Sequence, residues 1–274
     1  FYRKNSKIPF KRNSKKSFKR MNRYKLTIEY DGKDFNGWQK QKGMETIQGA
    51  IEESLLKFSG KNITIYGAGR TDTGVHATGQ VAHFDLDENG LEDKNSKLGK
   101  LTMGLNFYLS RLYENKISIL ETNKVSNEFH SRFSAKGRKY KYCILNRRTA
   151  SPLLRNKSWR IPNHLDLKLM KNASKYLIGK HDFTAFRSID CQAKSPIKTI
   201  DNITINNEGE LIEIYVEAKS FLMNQVRIIA GTLVDIGLLK KTNKDIQSAL
   251  DNKDRKFSGP TAPSCALILQ KIIY

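Results

Sequence analysis

A chain of 274 residues and 31.4 kDa, 38% of it hydrophobic, can bury one large core or two packed halves, which excludes a disordered polyelectrolyte. Its 49 Lys and Arg against 27 Asp and Glu give a formal charge of +22 and favour a polyanionic partner, nucleic acid first. Three scattered cysteines and histidines without ligand spacing point to neither a zinc site nor a disulfide framework.

Residues 1–20 hold nine Lys or Arg and no acid, and removing those nine from +22 leaves +13 on residues 21–274, so the body is basic in its own right. The segment reads as a disordered basic extension: an RNA-contacting arm, an organelle transit segment, or sequence upstream of a start at Met21, the last being preferred. It lacks the apolar region of a secretory signal. The greasiest later stretch, residues 226–239, is broken by Arg227 and Asp235 and is too short to cross a bilayer.

Residues 24–30 alternate apolar and polar side chains, the period of a half-buried strand, and Asp31-Gly32 supplies a turn. Ile47, Ala50, Ile51, Leu55 and Phe58 recur at helical spacing, with Thr46 as N-cap and Gly60 as stop. Residues 63–66 and 80–86 read as strands, and residues 138–145 as another that sets Tyr140, Tyr142 and Ile144 on one face. Leu169, Ala173, Tyr176 and Leu177 predict a helix stopped by Gly179, and residues 203–205 and 211–216 a hairpin. A stripe from Leu222 through Gln225, Val226, Ile229, Ala230, Leu233 and Val234 to Gly237 predicts a buried helix, and residues 266–273 a closing strand. This interleaving suits an α+β fold with a mixed, mostly antiparallel sheet.

Between two of those strands, residues 67–77 read Gly-Ala-Gly-Arg-Thr-Asp-Thr-Gly-Val-His-Ala. Glycines allow a sharp turn and close approach of a bulky substrate to Asp72, and the neighbouring Arg70 is expected to favour its ionised form. That presents Asp72 as a nucleophile or base. Taken alone, an Asp that bonds its own turn is the commoner case. A phosphate-cradling G-x-G-x-x-G would need glycine where Asp72 stands.

From about residue 23 to residue 274 a series of landmarks follows in order, among them Gly37-Trp38-Gln39, Thr46-Ile47-Gln48, the Asp72 motif with Gly79-Gln80-Val81, Phe129-His130-Ser131-Arg132-Phe133, Arg138-Lys139-Tyr140-Lys141-Tyr142, Asn224-Gln225-Val226-Arg227 and Ala262-Pro263. The series resembles the TruA family of tRNA pseudouridine synthases. The resemblance implies a pseudouridine synthase fold of two similar halves, residues 21–126 with the catalytic loop and 127–274 completing a central basic cleft. It implies isomerisation of uridine to pseudouridine in the anticodon stem-loop of tRNA, at the uridines numbered 38 to 40, without cofactor or metal. A cytoplasmic homodimer is part of that expectation, or an organellar one if residues 1–20 are a transit segment.

By the same resemblance Asp72 is the nucleophile, whether toward ribose C1′, toward uracil C6 or through a glycal. Tyr140 stacks on the target base and takes part in removing the C5 proton. Arg227 pairs with Asp72; it lies about 100° round the helix from Val226, at the edge of the buried stripe. Arg70 holds the nucleotide backbone or the loop, and Leu267 lies near the uracil. The ordinary readings of these residues are a core aromatic for Tyr140, a surface cation for Arg227 and Arg70, and a core side chain for Leu267. His76 and His130 read as structural, Trp38 as packing, and the cations of residues 138–141 as either tracking RNA or coating a solvated face. Departures from the family pattern are Thr73, Ser110 and Ala266. Two rivals stand: a non-catalytic RNA-binding protein on the same fold, and a synthase with a different RNA target.

Overall fold

The structure is a computed structural model that describes residues 21–87 and 97–274, so the expectations for residues 1–20 lie outside the described residues. The alternating N-terminal segment forms β1 (Met21–Tyr30), which buries Tyr24, Leu26, Ile28 and Tyr30. In α1 (Ile47–Ser59) the Thr46 hydroxyl accepts the Gly49 N–H at 3.2 Å, and Gly60 ends the helix at φ +69. Next come β2 (Tyr66–Gly67), β3 (His76–Asp87), α2 (Lys97–Tyr113) and β4 (Ile117–Val125). The rest of the chain forms β5 (Gly137–Asn146), β6 (Trp159–Ile161), α3 (Leu167–Ser174), β7 (Gly179–Asp182), β8 (Ile197–Glu208) and β9 (Leu211–Ala218). It ends with α4 (Gln225–Gly237), α5 (Asn243–Asn252) and β10 (Leu267–Ile273).

Several expected elements are shorter than the sequence suggests, each for a local reason. Residues 63–66 contribute only Tyr66 to a strand, because α1 side chains take the backbone groups instead: the Ile65 N–H donates to Glu52 Oε1 and Gln48 Nε2 donates to the Ile65 carbonyl, both at 3.2 Å. The helix expected to reach Leu177 is α3 followed by a 3-10 turn over Lys175–Leu177. Leu222 precedes α4, because Asn224 is left-handed at φ +61 and Gln225 Oε1 accepts the Leu222 N–H at 2.8 Å. The elements α2, β4, β6, β7 and α5 have no counterpart in the reading from sequence.

All ten strands join one sheet in the order β4-β1-β3-β10-β5-β9-β8-β7, with β2 on β3 and β6 on β5. Pairing is antiparallel except for β10 with β3 and β5 with β6, so the fold is α+β with a mixed, mostly antiparallel sheet. The last strand of the chain therefore lies in the middle of the sheet. One core gathers α1, α2 and the first strands, and includes Leu269 and Ile272 of β10; the other gathers α3, α4, α5 and strands β5, β8 and β9, and includes Leu267. Residues along β10 thus contribute to both cores. Among the described residues no helix is long and apolar enough to cross a membrane.

Leu269 is fully buried at this junction. Leu269→Ala should cost about 2–5 kcal/mol through lost transfer energy and an incompletely filled cavity, measured by denaturant unfolding. A loss below 1 kcal/mol, on the order of an exposed-site change, would show that β10 is not held by its packing.

Candidate active site

Close backbone packing gives the loop between β2 and β3 its shape. The Val75 N–H donates to the Asp72 carbonyl at 3.1 Å, and the Trp38 N–H to the Thr71 carbonyl at 3.0 Å. Gly37 lies against this turn at φ +79, and a Cβ there would stand 2.6 Å from the Thr71 oxygen. Gly67 leaves room for the buried Trp38 ring, which a Cβ would meet at 2.5 Å. Side chains complete the frame: the Thr71 and Tyr30 hydroxyls are 2.8 Å apart, and Gln80 Nε2 donates to the Gly69 carbonyl at 2.9 Å. His76 bonds the backbone of distant segments, Gly32 through Nδ1 and Asn156 and Cys265 through Nε2.

The loop leaves the Asp72 side chain 33% exposed, and Arg227 from the first turn of α4 brings Nη1 to 3.8 Å from Oδ2. That is an ion pair and too long for a hydrogen bond. The guanidinium is aimed by two other contacts: Nε donates to the Ala262 carbonyl and Nη1 to Asn224 Oδ1, each at 2.7 Å. Burial raises the Asp72 carboxyl above its ordinary range, and Arg227 opposes that rise. The expectation that Arg70 would favour the ionised form is corrected: Arg70 is exposed, its Nε donates to Gln39 Oε1 at 3.2 Å, and it is not among the causes acting on Asp72.

Tyr140 lies on β5 between Leu269 of β10 and Val216 of β9, and packs against both cores. Its ring meets Phe221 edge-on at 5.3 Å. Burial pushes its phenol pKa up, with further upward pushes from Tyr30 and from the Asp72 carboxylate, so it stands within electrostatic reach of Asp72. Among the described residues nothing hydrogen-bonds its hydroxyl. Tyr142, two positions on, is sealed from solvent and donates its hydroxyl to the Pro263 carbonyl at 2.9 Å. Arg227 is thus brought to Asp72, with Tyr140 within electrostatic reach of the carboxylate, while Tyr142 is committed to the core.

Leu267 opens β10 opposite Tyr142 and is 6% exposed within the second core. Arg138, read from sequence as tracking RNA or coating a solvated face, stands out more. Arg138 donates from Nη2 to the Ala68 carbonyl at 2.9 Å and the Arg132 carbonyl at 3.2 Å, and from Nη1 to the Lys219 carbonyl. It thus joins the base of the Asp72 loop to two other segments, so the suggestion that it tracks RNA or coats a solvated face is corrected. Lys139 and Lys141, on the opposite face of the strand, pair with Glu217 and Glu213, each at 2.9 Å.

Comparison with known proteins places the chain in the class of RNA-modifying isomerases that make pseudouridine. The chain belongs to the tRNA pseudouridine synthase family, whose profile matches residues 26–134 and 173–274. It is 47% identical over 254 residues to a tRNA pseudouridine synthase A from Bartonella tribocorum, covering 93% of this chain and 100% of the relative. The Sinorhizobium fredii protein of the same name is 46% identical with the same coverage, and that from Brucella ovis 44% identical over 93% of this chain and 98% of its own. Among solved structures, a chain from a Cbf5-Nop10-Gar1 complex aligns over 85% of this chain and 69% of its own at 10% identity and a TM-score of 0.30, too distant to carry an argument.

A carboxyl whose folded pKa is raised contributes stability below its unfolded pKa that is lost as pH rises through the folded value. Asp72→Asn removes that loss. The variant should match the wild type near the unfolded pKa of about 3.9 and unfold at higher temperature than the wild type at neutral pH. A variant equally destabilised at both pH values would contradict the burial argument. Arg138→Met strands three carbonyls that now receive charged donors, and should cost about 1.5–3 kcal/mol in unfolding experiments.

Proposed function

We propose that this chain isomerises uridine to pseudouridine in the anticodon stem-loop of tRNA, at the uridines numbered 38 to 40, with Asp72 as nucleophile. The observation that carries the reading is the meeting of a one-third-exposed Asp72 carboxylate with the Arg227 guanidinium at 3.8 Å, within electrostatic reach of a phenol whose hydroxyl is hydrogen-bonded by none of the described residues. The names of the bacterial relatives support tRNA as the substrate.

The reaction breaks the bond from uracil N1 to ribose C1′ and forms one from C5 to C1′; C5 loses a proton and N1 gains one. Asp72 must be ionised to act, and Arg227 favours that form against the cost of burial. Tyr140 offers a flat ring for the base and a hydroxyl that can carry the C5 proton. Extruding a base from a stem costs a few kcal/mol, which stacking and cations on phosphates offset. In this reading Arg70 holds the nucleotide backbone, Leu267 borders the base, and residues 21–126 and 127–274 act as two halves about a basic cleft. It extends to a homodimer working in the cytoplasm.

The test is tritium release from tRNA labelled at uridine C5. Asp72→Asn should abolish release while tRNA affinity stays within a few-fold, because the isostere keeps shape and loses nucleophilicity. Full activity in that variant would end the assignment. Tyr140→Phe should keep tRNA affinity and lose what the hydroxyl supplies; an unchanged rate would remove the proton role and leave the stacking one.

A further inference from the structure

An aromatic series outside the Asp72 site runs from the interior to the surface. His83 is 2% exposed, and its ring lies 5.2 Å from Tyr66 and 4.6 Å from His130. His130 in turn lies 4.3 Å from Phe133, which is 77% exposed, and Tyr66 is 52% exposed. The inner rings pack as a core does. Phe133 does not, and a solvent-facing phenylalanine gains little for the fold.

The turn that carries Phe133 is fixed before any ligand arrives. The Arg132 N–H donates to His130 Nδ1 at 3.1 Å, the Ser134 N–H to the His130 carbonyl at 2.9 Å, and the His130 N–H to Ser134 Oγ at 3.0 Å. Little side-chain or loop ordering therefore remains to be lost on binding. The Arg132 guanidinium carbon stands 5.8 Å from the Phe133 centroid, so ring and cation are offered together. Burial holds His83 down to about 4, with His130 and Arg23 adding to the effect, and burial also lowers His130. Both imidazoles stay neutral at physiological pH and serve as ring surface.

The position of the turn relates it to the reacting base. Arg138 and Tyr140 alternate onto the same face of β5, and Arg138 bonds the carbonyls of both Arg132 and Ala68, the latter at the root of the Asp72 loop. A rigid exposed ring beside a guanidinium, in a chain of net charge +22, has the chemistry that binds single-stranded nucleic acid: stacking on one group and phosphate on the other.

We propose that Phe133, backed by His130 and Tyr66 and accompanied by Arg132, is a stacking platform for an unpaired base of the RNA other than the uridine that is isomerised. This rests on the reading of the chain as a tRNA-modifying enzyme. The occupant is a nucleobase and not a second copy of the chain, because the ring stands with a cation and within one arginine's reach of the strand bearing Tyr140.

The experiment measures binding of a tRNA transcript to the full chain across a salt series, together with tritium release by the wild type. Phe133→Leu keeps an apolar side chain and removes the ring; it should weaken binding at least about fivefold with no change in the salt slope. Phe133→Trp should restore affinity. Arg132→Gln should weaken binding and reduce the salt slope by about one. Wild-type affinity in Phe133→Leu would overturn the platform, as would failure of Trp to rescue it. A shift in oligomeric state of Phe133→Leu, seen by sedimentation, would also overturn it by making the face a subunit contact. A wild type that binds tRNA and releases no tritium would remove the proposed reaction, while the variants still decide the platform.

Discussion

The pairing of the Asp72 carboxylate with one guanidinium, at a distance too long for a hydrogen bond, is the constraint to which the rest of the fold answers. Burial works against the ionised carboxylate, and Arg227 is the group that works for it. The two residues are far apart in sequence, on a loop that lends Ala68 to the first core and Val75 to the second, and on a helix of the second. They meet because β10, the last strand, runs between β3 and β5 and ties the strand that follows the Asp72 loop to the strand that carries Tyr140. Contacts on the Arg227 side, from Asn224 and Ala262, hold the guanidinium without using the carboxylate as its anchor.

This arrangement is costly in stability and useful for chemistry. A carboxylate that bonded its cation fully would be well stabilised and poorly nucleophilic. Held at 3.8 Å and one-third exposed, it keeps an attractive charge nearby and leaves its oxygens open to a substrate. The same contrast separates the two tyrosines of β5. Tyr142 has solved its burial by donating to Pro263, whereas Tyr140 lies at the seam of the two cores with its hydroxyl unclaimed among the described residues. Strand alternation puts both rings on one face, and the packing around each decides which remains available.

Much of the fold was legible because its signals are local. The alternation of β1, the Thr46 and Gly60 ends of α1 and the apolar stripe of α4 each follow from side-chain spacing over a few residues. The helix α2 is hard to see in the sequence although Leu101, Leu105 and Leu109 recur at helical spacing and are fully buried; Met103, Phe107 and Leu112 on its exposed surface blur the stripe. Of the site, Asp72 was visible in its glycine loop, but Tyr140 and Arg227 were singled out only by family resemblance, since a strand aromatic and a helix cation have commoner explanations. The bridging role of Arg138 leaves no mark in the sequence, which suggests only an RNA-tracking or solvated cation there. Its partners are backbone carbonyls, which every residue carries, so no sequence pattern marks the contact.

Net charge names the class of partner without saying where it binds, and the sheet explains why. On β5 the cations are spent: Lys139 and Lys141 face away from Tyr140 and pair with glutamates of β9, and Arg138 gives its donors to carbonyls. The strand that carries Tyr140 thus has little free charge of its own to offer a phosphate. Arg70 and Arg132 are different, since both are exposed and stand on turns fixed by hydrogen bonds and close backbone contacts. Long-range attraction of a polyanion would come from the chain's whole excess of positive charge, whereas exposed guanidinium groups on fixed turns, such as Arg70 and Arg132, are placed to meet a phosphate directly. Around Asp72 itself the balance is set by burial and by Arg227 alone at 3.8 Å; a dense cluster of cations there would pull the carboxylate into a tighter pairing.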